Sequence, residues 1–244
     1  MASGGTAVWI PYCGVAPTPG ELLWRWNLDP LLLAALASAT ALVVLGPRPG
    51  RGMGLGALAV LAVIFVSPLC ALSSALFLAR TIHHLLLIAL AAPLLALALP
   101  RSDGKGLAAA TFVQAAVFWA WHAPAAYALA LSHDGAYWLM QLSLLASAAW
   151  FWRSLRAASP AGAVGALLIS TVQMGLLGAL LTFAGRPLYA PHLAATQAWG
   201  LSPLQDQQAA GLVMWAPASA IYLAVALTIL GRWIGPSRRE ARAA

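Results

Sequence analysis

The sequence predicts an all-α protein, a polytopic membrane helix bundle of seven transmembrane helices, and three observations predict it. Hydrophobic residues make up 62% of the 244 and charged residues only 8%, whereas a soluble domain carries roughly 25% charged residues. The mean hydropathy is +0.84. The apolar residues gather into seven Leu/Ala-rich runs of about 18 residues or more, long enough to cross a bilayer and without the two-residue alternation of strands. A helix also satisfies its own backbone inside lipid. A chain this poor in charge cannot cover a water-facing surface, so the water-soluble classes drop out.

The elements follow in order. An outer tail, about 1–27, is short and rich in Gly, Pro and aromatic residues. Spans are expected near 28–46, 55–77, 82–99, 107–130, 136–153, 161–184 and 209–232, and a cytoplasmic tail over 233–244. Only residues 78–81 separate the second run from the third. Pro68, Pro93, Pro124 and Pro217 fall inside runs and predict kinks. Trp24, Trp26, Trp138, Trp150, Trp152 and Trp233 fall at run ends, as interfacial anchors do. No connecting segment is large enough for a second domain, so the chain is one membrane domain. The longest loop, about 185–208, lies between the sixth and seventh runs.

The net charge of +7 would suggest nucleic acid in a soluble protein; here its distribution sets sidedness instead. Arg48, Arg51, Arg101, Lys105, Arg153, Arg156, Arg232, Arg238, Arg239 and Arg242 flank the runs on one side, and Arg25, Arg80 and Arg186 on the other. Ten basic residues against three predict an outer N-terminus and a cytoplasmic C-terminus. The partner is the lipid bilayer, and nucleic acid is not expected. No basic region precedes an early apolar core, so no cleavable signal peptide is expected.

No P-loop, GxGxxG, HExxH or CxxC motif is present, and no nucleophile–base set is apparent, so no enzymatic activity is expected. On the predicted topology the five histidines, His83, His84, His122, His133 and His192, all lie in the outer half or outside it. Met140, Met174 and Met214 share the bias. Histidine with methionine suits copper, the thioether favouring Cu(I), although methionine also simply fills gaps in packing. Adjacent residues diverge by about 100° on a helix, so only one of His83 and His84 faces the bundle centre squarely. His84 lies one turn beyond Arg80, and Pro124 lets a kink present His122 to a neighbouring helix. Titratable groups inside a membrane are functional candidates by default, so His84 and His122 are the first pair, with His83, His192 and Met214 behind them; His133 and His192 also suit a solvated loop. Gln207, Gly211 and Met214 fall on one stripe, and the glycine permits close helix approach. Asp206 is expected to cap its own helix, or else to orient a histidine or hold Arg80 or Arg186. Gln114 and Gln173 are expected to hydrogen-bond between helices. Cys13 is expected to be a free or partner-facing thiol and Cys70 a buried small residue; the depth of Cys70, roughly 10 Å below its span's outer end at 1.5 Å per residue, argues against a disulfide.

Several segments carry a resemblance along most of the chain: Trp26-Asn-Leu-Asp29-Pro30; His84-Leu-Leu-Leu with Ala92-Pro93-Leu-Leu-Ala-Leu; Trp121-His122-Ala-Pro124-Ala-Ala-Tyr127; Trp150-Phe-Trp152; and Ser202-Pro203-Leu-Gln-Asp206-Gln207-Gln208-Ala-Ala-Gly211-Leu-Val-Met214-Trp215-Ala-Pro217. In order and spacing they resemble the multi-spanning CtaG-like cytochrome c oxidase assembly factors of bacteria. Relatives often carry His-Met-x-Gln-His at the start of the third span, where this chain has Arg80-Thr-Ile-His83-His84, and many have Glu-His where it has Leu139-Met140. The resemblance implies a multi-pass protein of the bacterial inner membrane that helps to build a haem-copper oxidase and binds or delivers copper on the periplasmic side. Its partners would be oxidase subunits and a periplasmic copper chaperone, with Asp206, Gln207, Trp215 and Arg80 as further functional residues. Two other readings are a bis-His haem-binding electron carrier using His84 and His122, and a metal-free scaffold for an oxidase subunit. A proton channel is disfavoured because no acidic or basic residue lies mid-span. Retinal is excluded because the only lysine, Lys105, lies in an inner loop.

Overall fold

The computed structural model describes residues 9, 11–46, 49–101 and 106–235. The expectations for Arg48, Lys105, Arg238, Arg239 and Arg242, the first part of the N-terminal tail and most of the C-terminal tail lie outside the described residues. Among those described there is no strand, and every expected run is helical. The helices are α1 (Pro30–Leu45), α2 (Arg51–Val66), α3 (Pro68–Ala75), α4 (Phe77–Leu86), α5 (Ala92–Ala98), α6 (Leu107–His122), α7 (Pro124–Ala130), α8 (Asp134–Leu155), α9 (Pro160–Thr182) and α10 (Pro203–Ile234). A π-helical turn, Leu87–Ala91, joins α4 to α5.

Among the described residues, three segments are long and apolar enough to cross a membrane: Phe77–Ala98, Pro160–Thr182 and Pro203–Ile234. The pair α2 and α3, bent by 51°, makes a fourth. α1 and α6 are shorter apolar helices. The third segment sits at the centre, with α2 and α8 against one side and α10 against the other, while α9 and α10 form the most extensive pair.

The prolines act as expected at two breaks. Pro68 and Pro124 each take the first helical position after an extended residue, Ser67 or Ala123, where a missing N–H costs nothing. α10 continues through Pro217. Pro93 has a subtler effect. The wide turn pairs Ala92 N–H with Leu87 O, so Ile88 O would pair next with residue 93, which has no N–H. The Trp152 indole donates to that carbonyl instead, at 2.9 Å. Trp152 is therefore buried and is not an interfacial anchor, whereas Trp24, Trp26, Trp150 and Trp233 are exposed.

The boundary between the second and third runs needs correction. The break lies at Leu76, in extended conformation, and α4 starts at Phe77. Residues 78–81 are helix, and Arg80 is a fully buried side chain, not an outer connecting residue. At the opposite end of the bundle, arginines meet helix C-terminal carbonyls, as the helix dipole favours. Arg156 donates to Ala96 O and Leu99 O, Arg153 to Pro100 O, and Arg51 to Gly46 O.

The amides bridge helices as expected. Gln114 donates to the Tyr222 hydroxyl at 3.2 Å, and Gln173 accepts from the Trp119 indole at 2.8 Å. Gly211 meets α9 at backbone contact: a Cβ there would lie 2.5 Å from Thr182 Oγ1 and 2.7 Å from Gly178 O. Gly211→Ala is therefore expected to cost about 1–3 kcal/mol, as overpacking does, and to lower the unfolding temperature of the purified protein. An unchanged temperature would contradict that packing.

Candidate functional site

The break at Leu76 leaves the first amides of α4 without partners inside their own helix. Asp206, fully buried near the start of α10, accepts from Phe77 N at 2.7 Å and from Leu78 N at 3.1 Å. The expected cap on its own helix is thus corrected. Ser202 caps α10 in a capping box with Gln205, which frees the Asp206 carboxylate to cap a helix from elsewhere in the chain. Asp206 does not hold Arg80: both of its oxygens serve these amides, and Arg80 meets the Tyr127 and Tyr137 hydroxyls instead. Gln207 ties down the loop before α10: its Oε1 accepts from Leu188 N at 2.7 Å, and its Nε2 donates to Leu181 O and Arg186 O.

About two turns into α4, His84 faces α6 and α10. Its ring lies 5.9 Å from that of His122, at 79°. His122 ends α6, and its Nδ1 donates to Phe118 O at 2.7 Å, which leaves Nε2 with the lone pair. Both rings, with Met214 and Thr81, line one small void that is too narrow for a water molecule. Neither nitrogen of His84 has a partner. The expected trio from the third, fourth and seventh runs is therefore brought together. His83 turns away, edge-on to Phe65 of α2 at 5.0 Å, and its two nitrogens are also unpartnered.

His192 is buried but committed elsewhere. Its Nδ1 donates to Ala75 O at 3.2 Å, and its Nε2 accepts from the Tyr127 hydroxyl at 2.7 Å. Burial pulls its pKa down to about 3, against the raising effect of the Ala75 carbonyl, so it is neutral at physiological pH. His133 is exposed at the start of α8. Trp215 is 42% exposed and packs beside Phe183, away from the histidines. Among the described residues, no three His, Cys, Asp or Glu side chains converge as a metal cage.

Cys13 and Cys70 form a disulfide, with Cα atoms 5.3 Å apart, which corrects the expectation of two free thiols. The depth argument treated 55–77 as one straight helix. The 51° bend at Pro68 puts Cys70 on α3, within reach of the outer tail. Tyr12, next to Cys13, stacks on Tyr137 with ring centres 5.0 Å apart.

Some participants escaped the sequence reading although spacing marks them. Thr81 lies three residues before His84, and Phe118 four before His122, so each shares a face with its histidine. Tyr127 stood within a quoted motif without a role. Tyr137, whose ring lies 5.2 Å from the Arg80 guanidinium carbon, carried no sequence signal.

The helical chain thus combines apolar segments of membrane-spanning length with two imidazoles and a thioether around one void. The comparisons give the family. The profile of the cytochrome c oxidase caa3 assembly factors (Caa3_CtaG) matches residues 107–235, more than half of the chain, and the protein belongs to that family. No curated protein and no solved structure matches it.

Proposed function

We propose that this protein is a seven-span inner-membrane assembly factor that holds Cu(I) for a bacterial haem-copper oxidase, on the periplasmic side, between His84, His122 and Met214. The observation that carries this is the facing pair of rings, 5.9 Å apart across a void shared with Met214. Two imidazoles on one ion, with bonds of about 2 Å, have ring centres roughly 5–6 Å apart. The Phe118 carbonyl orients His122 from behind, as partners of metal-bound histidines do. Soft and borderline ligands together suit Cu(I), and a void that excludes water protects it. The void leaves no slot for a haem macrocycle, which favours copper over the bis-His haem reading. Ten basic residues against three favour an outer N-terminus, and the Cys13–Cys70 disulfide suits an oxidising outer compartment.

Purified protein loaded with Cu(I) and dialysed is expected to retain stoichiometric copper, and the His84→Ala, His122→Ala double variant to lose it. Equal retention by the two proteins would overturn the assignment. Deleting the protein is expected to leave its oxidase short of copper; a fully metallated oxidase would overturn the delivery role.

A further inference from the structure

The Arg80 guanidinium is a buried cation without an anion. The side chain has no exposed surface, and the partners it meets are the neutral hydroxyls of Tyr127 and Tyr137. Leaving a buried charge uncompensated is among the largest single penalties in a folded protein. The Tyr137 ring face at 5.2 Å and these hydroxyls offset part of it but bring no negative charge.

The chain cannot supply the missing charge from its described residues. The sequence has six carboxylates. Asp206 is consumed by the two α4 amides. Asp29 caps α1, and Glu21 and Asp134 are exposed; Asp103 and Glu240 lie outside the described residues. The groups near the guanidinium carry no negative charge: the Tyr127 and Tyr137 hydroxyls meet it, and the His83 and His192 imidazoles lie close enough to feel its charge.

We infer that Arg80 is the centre of a buried site for a small inorganic monoanion of halide size, which for this protein is chloride. Full enclosure excludes a lipid headgroup or a partner's carboxylate, which would have to bring its own chain along. A halide needs no such opening, accepts from several donors at once and neutralises the guanidinium. The site does not depend on copper.

Purified wild-type protein should show a saturable rise in unfolding temperature when gluconate is replaced by chloride or bromide at constant ionic strength. R80Q should lose that rise. Because R80Q could fail to fold, the second measurement uses the wild type alone: bromide-soaked crystals should give an anomalous peak within hydrogen-bond distance of Arg80. A halide response retained in R80Q, no response in the wild type, or bromide absent from the guanidinium would each overturn the site. None of these readouts involves copper, so they stand or fall independently of His84 and His122.

Discussion

Cys13→Ser is expected to be the most destabilising single change at the end of the bundle that holds the N-terminal tail. The disulfide joins residues 57 apart in sequence, and closing a loop of that length is worth about 4 kcal/mol in the chain-entropy account. That figure is an upper bound here, because spans already inserted in a bilayer restrict the unfolded chain. Loss of the bond also releases the tail that stacks Tyr12 on Tyr137, and so loosens the residue that covers Arg80. The measurement is thermal unfolding of the purified protein with and without reductant. Reductant should lower the midpoint of the wild type and leave Cys13→Ser, already low, unchanged. A wild type insensitive to full reduction would remove the disulfide from the account of stability.

The second large effect is expected at Asp206. Asp206→Ala leaves two amides at the head of α4 without acceptors, Phe77 N buried and Leu78 N partly so, at about 1–3 kcal/mol for each unsatisfied group. It also removes a negative charge from a helix N-terminus, where the dipole favours one. Asp206→Asn keeps one acceptor oxygen and should fall between the wild type and the alanine variant. Because α4 carries Arg80, His83 and His84, fraying its first turn should also lower copper retention, in the same order. If all three proteins unfold at one temperature, the cap contributes nothing. If stability falls while copper retention holds, the cap is structural only.

These two residues mark where sequence reasoning stopped. The proposed ligands were legible because charge gave each run an expected direction and direction gave each histidine a depth. His84, His122 and Met214 then fall at similar depths, and the buried stripe of α10 follows from the spacing of Gln207, Gly211 and Met214. Asp206 was misread because an acid near a helix start has an obvious local partner, and nothing in the sequence says that Ser202 has already taken that role. Cys70 was misread because a proline in an apolar run announces a bend but not its size. His192 had two readings open, ligand or solvated loop residue, and took neither, since its partners, Ala75 and Tyr127, come from distant segments. Arg80 was counted as a topology marker because the boundary between the second and third runs was drawn a few residues late.

The wide turn at Leu87–Ala91 has a geometric consequence for the whole third segment. One added residue advances the helical phase by about 100°. In a continuous α-helix the face that carries His84 and Ile88 would continue through Ala91 and Leu95. Beyond the turn, burial passes instead to Ala92 and Ala96, both fully buried, while Leu95 is only partly so. The segment is thus two helices of different phase on one axis. The outer one aims polar side chains at α10 and α6, and the inner one presents small residues to α8. No single helical wheel describes it, and deleting one residue from the turn would rotate one half against the other without changing any side chain.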